Sequence, residues 1–310
     1  MSSKLRAGIL GATGMVGQRF ITLLDNHPFF EITTLAASAS SAGKTYEESV
    51  GSRWKMDTPM PDCVKNIVVK NVADVEDVVA DVDFVFSAMN MSKEEIREIE
   101  EVYAKTETPV VSNNSAHRWT PDVPMVIPEI NPEHFEVIEA QKKRLGTKRG
   151  FIAVKPNCSI QSYTPALAAW KAFGPKEVVV STYQAISGAG KTFREWPEME
   201  GNIIPFISGE EEKSEKEPLK VFGRVKDGVI ETYNGDLRIT SQCIRVPVLN
   251  GHTATVFVNF KEDPTKEELI EALRAFSGKP QELQLPHAPK HFIQYLEDDN
   301  RPQVKLDVEY

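Results

Sequence analysis

Cys158 is the side chain whose neighbours best suit it to nucleophilic chemistry. It stands in Pro156-Asn157-Cys158-Ser159, after a short apolar run and before a segment of helical composition. Backbone N–H groups and the positive end of a helix there would favour a thiolate. A thiol of ordinary acidity is only a few per cent ionised at neutral pH, so such help matters. Pro165 either kinks the following helix or marks a start after Thr164, which would weaken the dipole. Cys63 and Cys243 read as small buried residues. A nucleophilic sulfur also needs a base. His27, His117, His134, His287 and His291 fall in loop-like or surface contexts, whereas His252 follows the turn Leu-Asn-Gly, which makes it one candidate. Arg245, seven residues earlier, carries a guanidinium fork suited to a carboxylate.

A second constellation lies at the amino end. An apolar run over 4–10 leads into Gly11-Ala-Thr-Gly14-Met-Val-Gly17 and then a helical pattern. In that context the glycines allow a tight turn, close approach to a pyrophosphate and close helix packing, so the stretch reads as a dinucleotide fingerprint rather than a plain turn. About 20 residues on, an NAD site would place an acidic residue for the ribose 2′-hydroxyl. Here Ser38, Ser40, Ser41 and Lys44 stand instead, read either as a small-residue loop or as donors and a cation for the 2′-phosphate of NADP. A dinucleotide joined to a reactive cysteine implies a reaction type: the thiolate adds to an aldehyde carbon, a hydride leaves, and the resulting thioester is opened by another nucleophile.

These groups need elements to hold them. Strands over 4–10, 31–37, 83–88, 109–112 and 150–155 alternate with helices, including one over 92–105, which predicts a doubly wound parallel sheet. The Pro-rich stretch 120–134 reads as extended connections, and a boundary is placed after residue 155. Domain 1–155 would hold the dinucleotide, and 156–310 would carry catalysis and dimerisation. Beyond the boundary, strands over 176–187, 237–247 and 253–260 lack a helix after each. They predict an α+β domain with a mainly antiparallel sheet, one face covered by helices over 160–173, 211–222 and 265–276. The charged run 209–217 reads as a solvated helix face.

Composition bounds the rest. With 310 residues, of which 41% are hydrophobic, 26% charged and 8% aromatic, the chain fits two globular domains and excludes disorder, collagen and coiled coil. A net charge of −9 argues against nucleic acid or an anionic membrane as partner, while leaving room for a local basic pocket. Three widely spaced cysteines form neither a disulfide framework nor a zinc motif, so no metal is expected and a cytoplasmic location fits. No run approaches the roughly 18 apolar residues of a membrane span, and the start is not a signal peptide.

The blocks GILGATGMVGQRF (8–20), LAASASSAGK (35–44), SNNSAHR (112–118), DVPMVIPEINPEH (122–134), PNCS (156–159), QAISGAG (184–190), NIIPFISGEEEK (202–213) and RVPVLNGHT (245–253) occur in this order. In them the sequence resembles aspartate-semialdehyde dehydrogenase, in its archaeal and fungal branch. The resemblance implies NADP-dependent interconversion of aspartyl β-phosphate and aspartate 4-semialdehyde, on the way to lysine, threonine and methionine. By it Cys158 is the nucleophile and His252 the acid/base, Gln184 orients the thioacyl group, and the Cys158 N–H with Asn157 stabilises an oxyanion. Arg245 would hold the substrate carboxylate, Glu210 its ammonium, and Arg118 with Lys213 a phosphate. The implied cofactor set is Gly11, Thr13, Gly14, Met15, Val16, Gly17, Ser38, Ser40, Ser41, Lys44, Ser87, Ser187 and Gly188. The implied partners are the small-molecule substrate, inorganic phosphate, and further copies of the chain in a homodimer or homotetramer joined through the second domain's sheet.

Some positions depart from the family pattern: Ile160-Gln161 after the nucleophile, Ala254 in place of Glu, and Lys191-Thr-Phe-Arg194 after SGAG. They leave open the same chemistry on another acyl donor, such as malonyl-CoA, or a silent NADP-binding relative. Reduction of N-acetyl-glutamyl phosphate shares the fold without the SAGK and GEEEK blocks. The last ten residues read as a strand without the family's closing strand and helix. That predicts an early end at Tyr310, exposed apolar surface on the first domain, and weakened cofactor binding.

Overall fold

The structure is a computed structural model that describes residues 4–308. The chain forms two compact units. The first takes the chain up to Met125 with His134–Lys155 and Val225–Ile230, and the second takes Val126–Glu133, Pro156–Arg224 and the chain from Glu231 on.

In the first unit, β1 (Leu5–Leu10), β2 (Phe30–Ala37), β3 (Lys70–Asn71), β4 (Phe84–Ser87), β5 (Val110–Ser112) and β6 (Ile152–Val154) make one parallel sheet in the order β3-β2-β1-β4-β5-β6. That is the doubly wound order expected of the sequence, and it reverses between β1 and β4, where such sheets bind ligands beyond their carboxyl ends. Ala7, Ile9 and Leu10 are fully buried, as a strand covered on both faces requires. At the end of β1, Gly11 adopts φ 81°, and a Cβ there would meet the Ala88 carbonyl oxygen at 2.4 Å. Helix α1 (Met15–Leu24) follows. A Cβ on Gly17 would lie 2.4 Å from the Gly11 oxygen, so this glycine lets the helix press on the turn. Buried Gln18 then pins the turn through the Thr13 carbonyl (3.0 Å) and the Arg53 carbonyl (3.0 Å).

Helix α2 (Lys93–Lys105) opens on a Ser92/Glu95 capping box and turns Glu100 inward. The Glu100 carboxyl gathers the Ser87 hydroxyl (2.6 Å), the Ser112 hydroxyl (2.6 Å) and the Asn114 amide (3.2 Å), which ties together the carboxyl ends of β4 and β5. Burial pushes this carboxyl above its ordinary value, against those three donors. Leu5, Leu23 and Phe29 of this unit are each about half exposed.

The second unit is built on β7 (Pro175–Gln184), β8 (Arg238–Arg245) and β9 (Thr253–Phe260) in the order β8-β7-β9. The α+β class is as expected, and the ladders show the sheet to be mixed: β9 runs antiparallel to β7, whereas β8 runs parallel to it. Alternation puts Val178, Val180, Thr182 and Gln184 of β7 on the buried face with Ile239, Ser241, Cys243 and Arg245 of β8. Helix α5 (Glu210–Val221) packs along β8, and α6 (Lys266–Ala275) packs on α4 (Thr164–Ala169).

Two expectations need correction. The helix expected over 160–173 is divided into a 3₁₀ turn at Ser159–Ser162, then α4 with Pro165 in its first turn, then a 3₁₀ turn at Lys171–Phe173. The chain end expected to be a strand forms a short helix, α7 (Val304–Asp307), where residues 304–307 are described. Among the described residues no helix is long and apolar enough to cross a membrane.

Candidate active site

In the second unit, the ends of β7 and β8 and the turn before β9 converge on Cys158. Register sets Gln184 opposite Arg245, both buried on the covered face. After Gln184 the chain leaves the sheet, and the two backbone groups of Ala185 become the fixed points of the site. Its N–H donates to His252 Nδ1 at 3.1 Å, and its carbonyl accepts from Arg245 Nη1 at 2.6 Å. A ring whose Nδ1 accepts carries its proton at Nε2 when neutral. Nε2 faces Cys158 Sγ at 3.3 Å, so the proton points at the sulfur. Burial pulls the Arg245 guanidinium below its usual value, and the Glu210 charge opposes that pull.

Gly188 completes this cluster by lacking a side chain. A Cβ there would sit 3.1 Å from both Arg245 Nη1 and His252 Cε1. Ser187 lies beside it in the 3₁₀ turn Ile186–Ala189, its N–H donating to the Leu249 carbonyl at 3.1 Å. Gln184 donates from Nε2 to Thr182 Oγ1 at 3.1 Å.

The Cys158 segment is held from α5. Asn157 Nδ2 donates to Glu210 Oε2 at 2.9 Å, and the Asn157 backbone N–H donates to Glu217 Oε2 at 2.6 Å. Asn157 Oδ1 accepts from the Ser159 N–H at 2.8 Å and the Ser159 hydroxyl at 2.6 Å, closing a turn around Cys158. The helix N-terminus expected behind the sulfur is not there: a 3₁₀ turn follows Cys158, and α4 begins only at Thr164. Lys213 Nζ occupies the other Glu210 oxygen at 2.7 Å. Burial alone would push the Glu210 carboxyl up, yet the Lys213 ammonium, the Asn157 amide and the Arg245 charge outweigh it and hold Glu210 below its usual 4.5.

The remaining candidates belong to the first unit. Arg118 is buried, donating from Nε to the Lys155 carbonyl at 3.0 Å and from Nη2 to the Asn113 carbonyl at 3.4 Å. Around the fingerprint, Gly11, Thr13 and Met15 are half-buried, Gly14 and Val16 exposed, and Gly17 buried. Past β2, Ser38, Ser40 and Lys44 are exposed, with the two hydroxyls 3.0 Å apart and Lys44 Nζ 3.5 Å from the Ser40 carbonyl. No acidic residue interrupts 36–44, so the loop fits the phosphate-bearing dinucleotide. Ser41 is buried, its carbonyl accepting from Ser49. Ser87 is fully buried with its hydroxyl on Glu100.

Two residue classes fall differently from their sequence reading. Cys63 is exposed rather than buried, and His27, His117 and His134 are buried rather than superficial. Local polarity around each gave no sign of the tertiary cover.

Comparison with known proteins places this geometry. Residues 6–138 match the semialdehyde dehydrogenase NAD binding domain, and residues 165–310 match the semialdehyde dehydrogenase dimerisation domain. An aspartate-semialdehyde dehydrogenase of Methanothermobacter thermautotrophicus is 44% identical over 98% of this chain and 85% of its own length. The chain belongs to the aspartate-semialdehyde dehydrogenase family. The crystal structure of the Candida albicans aspartate semialdehyde dehydrogenase with NADP superimposes with a TM-score of 0.87 at 36% identity, covering 99% of this chain and 86% of that one. A malonyl CoA reductase (NADP) of Metallosphaera sedula is 35% identical over 99% of this chain and 84% of its own length.

For this family member, the sequence reading missed the work of the acidic run. Besides Glu210 and Glu217, Glu211 accepts from the Cys243 N–H at 3.4 Å and Glu215 from the Ser241 N–H at 3.1 Å. Pro218 within α5 has no N–H for the Ser214 carbonyl, and the buried Tyr163 hydroxyl donates to that carbonyl instead. The signal for the glutamates was their spacing, since Glu210 and Glu217, seven residues apart, share one helix face, as do Glu211 and Glu215.

The depressed Glu210 carboxyl has a stability consequence. A carboxylate held below its unfolded value contributes stability above that value and loses it as pH falls through the folded one. Glu210→Gln should therefore flatten the loss of stability on acidification below 4.5, read from urea midpoints at successive pH values; an unchanged slope would exclude the contribution.

Proposed function

We propose that this chain is an NADP-dependent, phosphorylating aspartate-semialdehyde dehydrogenase, acting through a thioester on Cys158. The observation that carries the reading is the 3.3 Å approach of His252 Nε2 to Cys158 Sγ, with the ring fixed by Ala185 and Arg245 anchored to the same residue. When bound, the dinucleotide supplies the hydride acceptor for aldehyde oxidation.

Cys158 Sγ, as thiolate, adds to the aldehyde carbon, forming the C–S bond while the C=O π pair moves onto oxygen as an alkoxide, to which His252 Nε2–H donates a hydrogen bond. As the hydride leaves that carbon, the alkoxide pair re-forms the C=O bond, the proton stays on His252, and a thioester results. A phosphate oxygen then attacks the thioester carbonyl, the C–S bond breaks, and acyl phosphate departs from the regenerated thiolate. The Cys158 N–H and Asn157 serve the developing oxyanion, and Gln184 orients the thioacyl group. Arg245 holds the substrate carboxylate and Glu210 its ammonium. Arg118 and Lys213 serve the phosphate. The zwitterion-binding pair Arg245 and Glu210 favours the semialdehyde over malonyl-CoA, which lacks an α-ammonium.

On the dinucleotide, Ser38, Ser40 and Lys44 receive the 2′-phosphate, with Ser41 buried at their base, and the glycine turn receives the pyrophosphate. Ser187 and Gly188 contribute to cofactor binding. The chain works as a homodimer or homotetramer through the open face of the β8-β7-β9 sheet, where Phe257 (65% exposed) stands opposite Val179 (54% exposed) in the ladder.

Three outcomes are expected. Phosphate-dependent reduction of NADP by aspartate 4-semialdehyde should fall by about 10³-fold or more in Cys158→Ser, and comparable turnover would rule out the covalent route; activity with malonyl-CoA alone would move the substrate. Ser38→Asp should shift the ratio of kcat/KM values from NADP towards NAD by at least about tenfold, and an unmoved ratio would refute the 2′-phosphate role. Phe257→Asp should lower the particle mass seen by light scattering to that of one chain; an unchanged oligomer would place the interface elsewhere.

A further inference from the structure

The buried Glu217 lies outside the residues that touch substrate in the reading above, yet it accepts the backbone N–H of Asn157, the residue directly before the nucleophile. We propose that Glu217 is a positioning residue that sets the reactivity of Cys158 by anchoring the Asn157 peptide.

Helix α5 meets the segment 157–163 at three points on one face. Glu210 takes the Asn157 side-chain amide, Glu217 takes its backbone N–H, and the Ser214 carbonyl, which Pro218 cannot serve, takes the Tyr163 hydroxyl. Asn157 is thereby fixed at both its backbone and its side chain, while its Oδ1 holds Ser159 on the far side of Cys158. The sulfur's position relative to His252 Nε2 depends on this turn, because no α-helix begins at Cys158 to impose it. Glu210 faces substrate as well, so its anchor is shared with the ligand. Glu217 is 1% exposed and has only the interior to act on. Deleting its acceptor leaves the Asn157 N–H buried without that partner, and the peptide turns to find another. Displacements of about 1 Å at a reacting atom cost up to about 10²-fold in rate.

The inference rests on Cys158 being the nucleophile, so one readout is independent of turnover. In the full chain, Glu217→Ala, Glu217→Met and Glu217→Gln would be compared with the parent for kcat and KM, normalised to active sites. The rate of Cys158 alkylation by iodoacetamide, located by peptide mass spectrometry, would be measured alongside. Glutamine retains an acceptor oxygen, whereas methionine keeps the volume without one. Glu217→Ala and Glu217→Met should lower kcat at least about tenfold with KM for the semialdehyde within about threefold, and should change the Cys158 alkylation rate at least about threefold; Glu217→Gln should restore both to within about threefold of the parent. Should Glu217→Ala not fold, the glutamine and methionine variants decide the matter. A methionine variant with parental kcat and alkylation would overturn the proposal, as would a glutamine variant impaired as much as methionine. Parental Cys158 that is alkylated but never turns over the aldehyde would remove the functional reading, while the alkylation rates would still judge Glu217.

Discussion

One residue's backbone organises the second unit's chemistry. The Ala185 peptide groups point one way to the imidazole of His252 and the other way to the guanidinium of Arg245. Because both side chains are referenced to the same short stretch of main chain, the distance between imidazole and guanidinium does not depend on two flexible rotamers finding each other. The main chain there is itself stiff, since it leaves the central strand of the sheet directly after Gln184, whose ladder partners lie on β8. A backbone donor has the further advantage that no substitution of the Ala185 side chain can remove it except proline. Gly188 has the complementary role of leaving the volume beside both groups empty.

The second organising element is α5. Its charged face reads as solvated, and half of that reading is right: Glu212 and Lys216 are exposed and pair with each other at 2.7 Å. The inward carboxylates belong to a different category, because Glu211, Glu215 and Glu217 each accept a backbone N–H and Glu210 accepts the Asn157 side-chain amide. Glu211 and Glu215 meet the amides of β8, while Glu210 and Glu217 meet Asn157. Pro218 fits the same pattern, exposing a helix carbonyl that Tyr163 then uses.

What could be read from the sequence was what local physics decides. The glycine fingerprint lies between a strand and a helix within seventeen residues, so its turn is dictated by neighbours in the chain. The strand–helix alternation likewise yields the doubly wound parallel sheet and five of its six strands, the two-residue edge strand at Lys70–Asn71 being too short to leave a pattern. The course of β8 was beyond that reach, because whether a strand runs parallel to β7 is set by the long connection between them and not by its own residues. The helix after Cys158 failed for a local reason, as Pro165 and the extended φ of Tyr163 break it into pieces. Cys158 and His252 are 94 residues apart, and no spacing argument could single out one histidine of six. His117 and His134, fully buried in the first unit, show how poorly loop context predicts exposure.

The glutamates along β8 also bear on how the molecule can multiply. Strand ladders grow into open-ended ribbons only when a sheet offers two vacant margins, one to give and one to receive. Along β8 the amides of Ser241 and Cys243 already have carboxylate acceptors, and Arg245 exchanges both its main-chain hydrogen bonds with Ile204. Within this sheet, among the described residues, the margin open to a further strand is that of β9, and two copies joined β9 to β9 would be related by a two-fold axis and end at a pair.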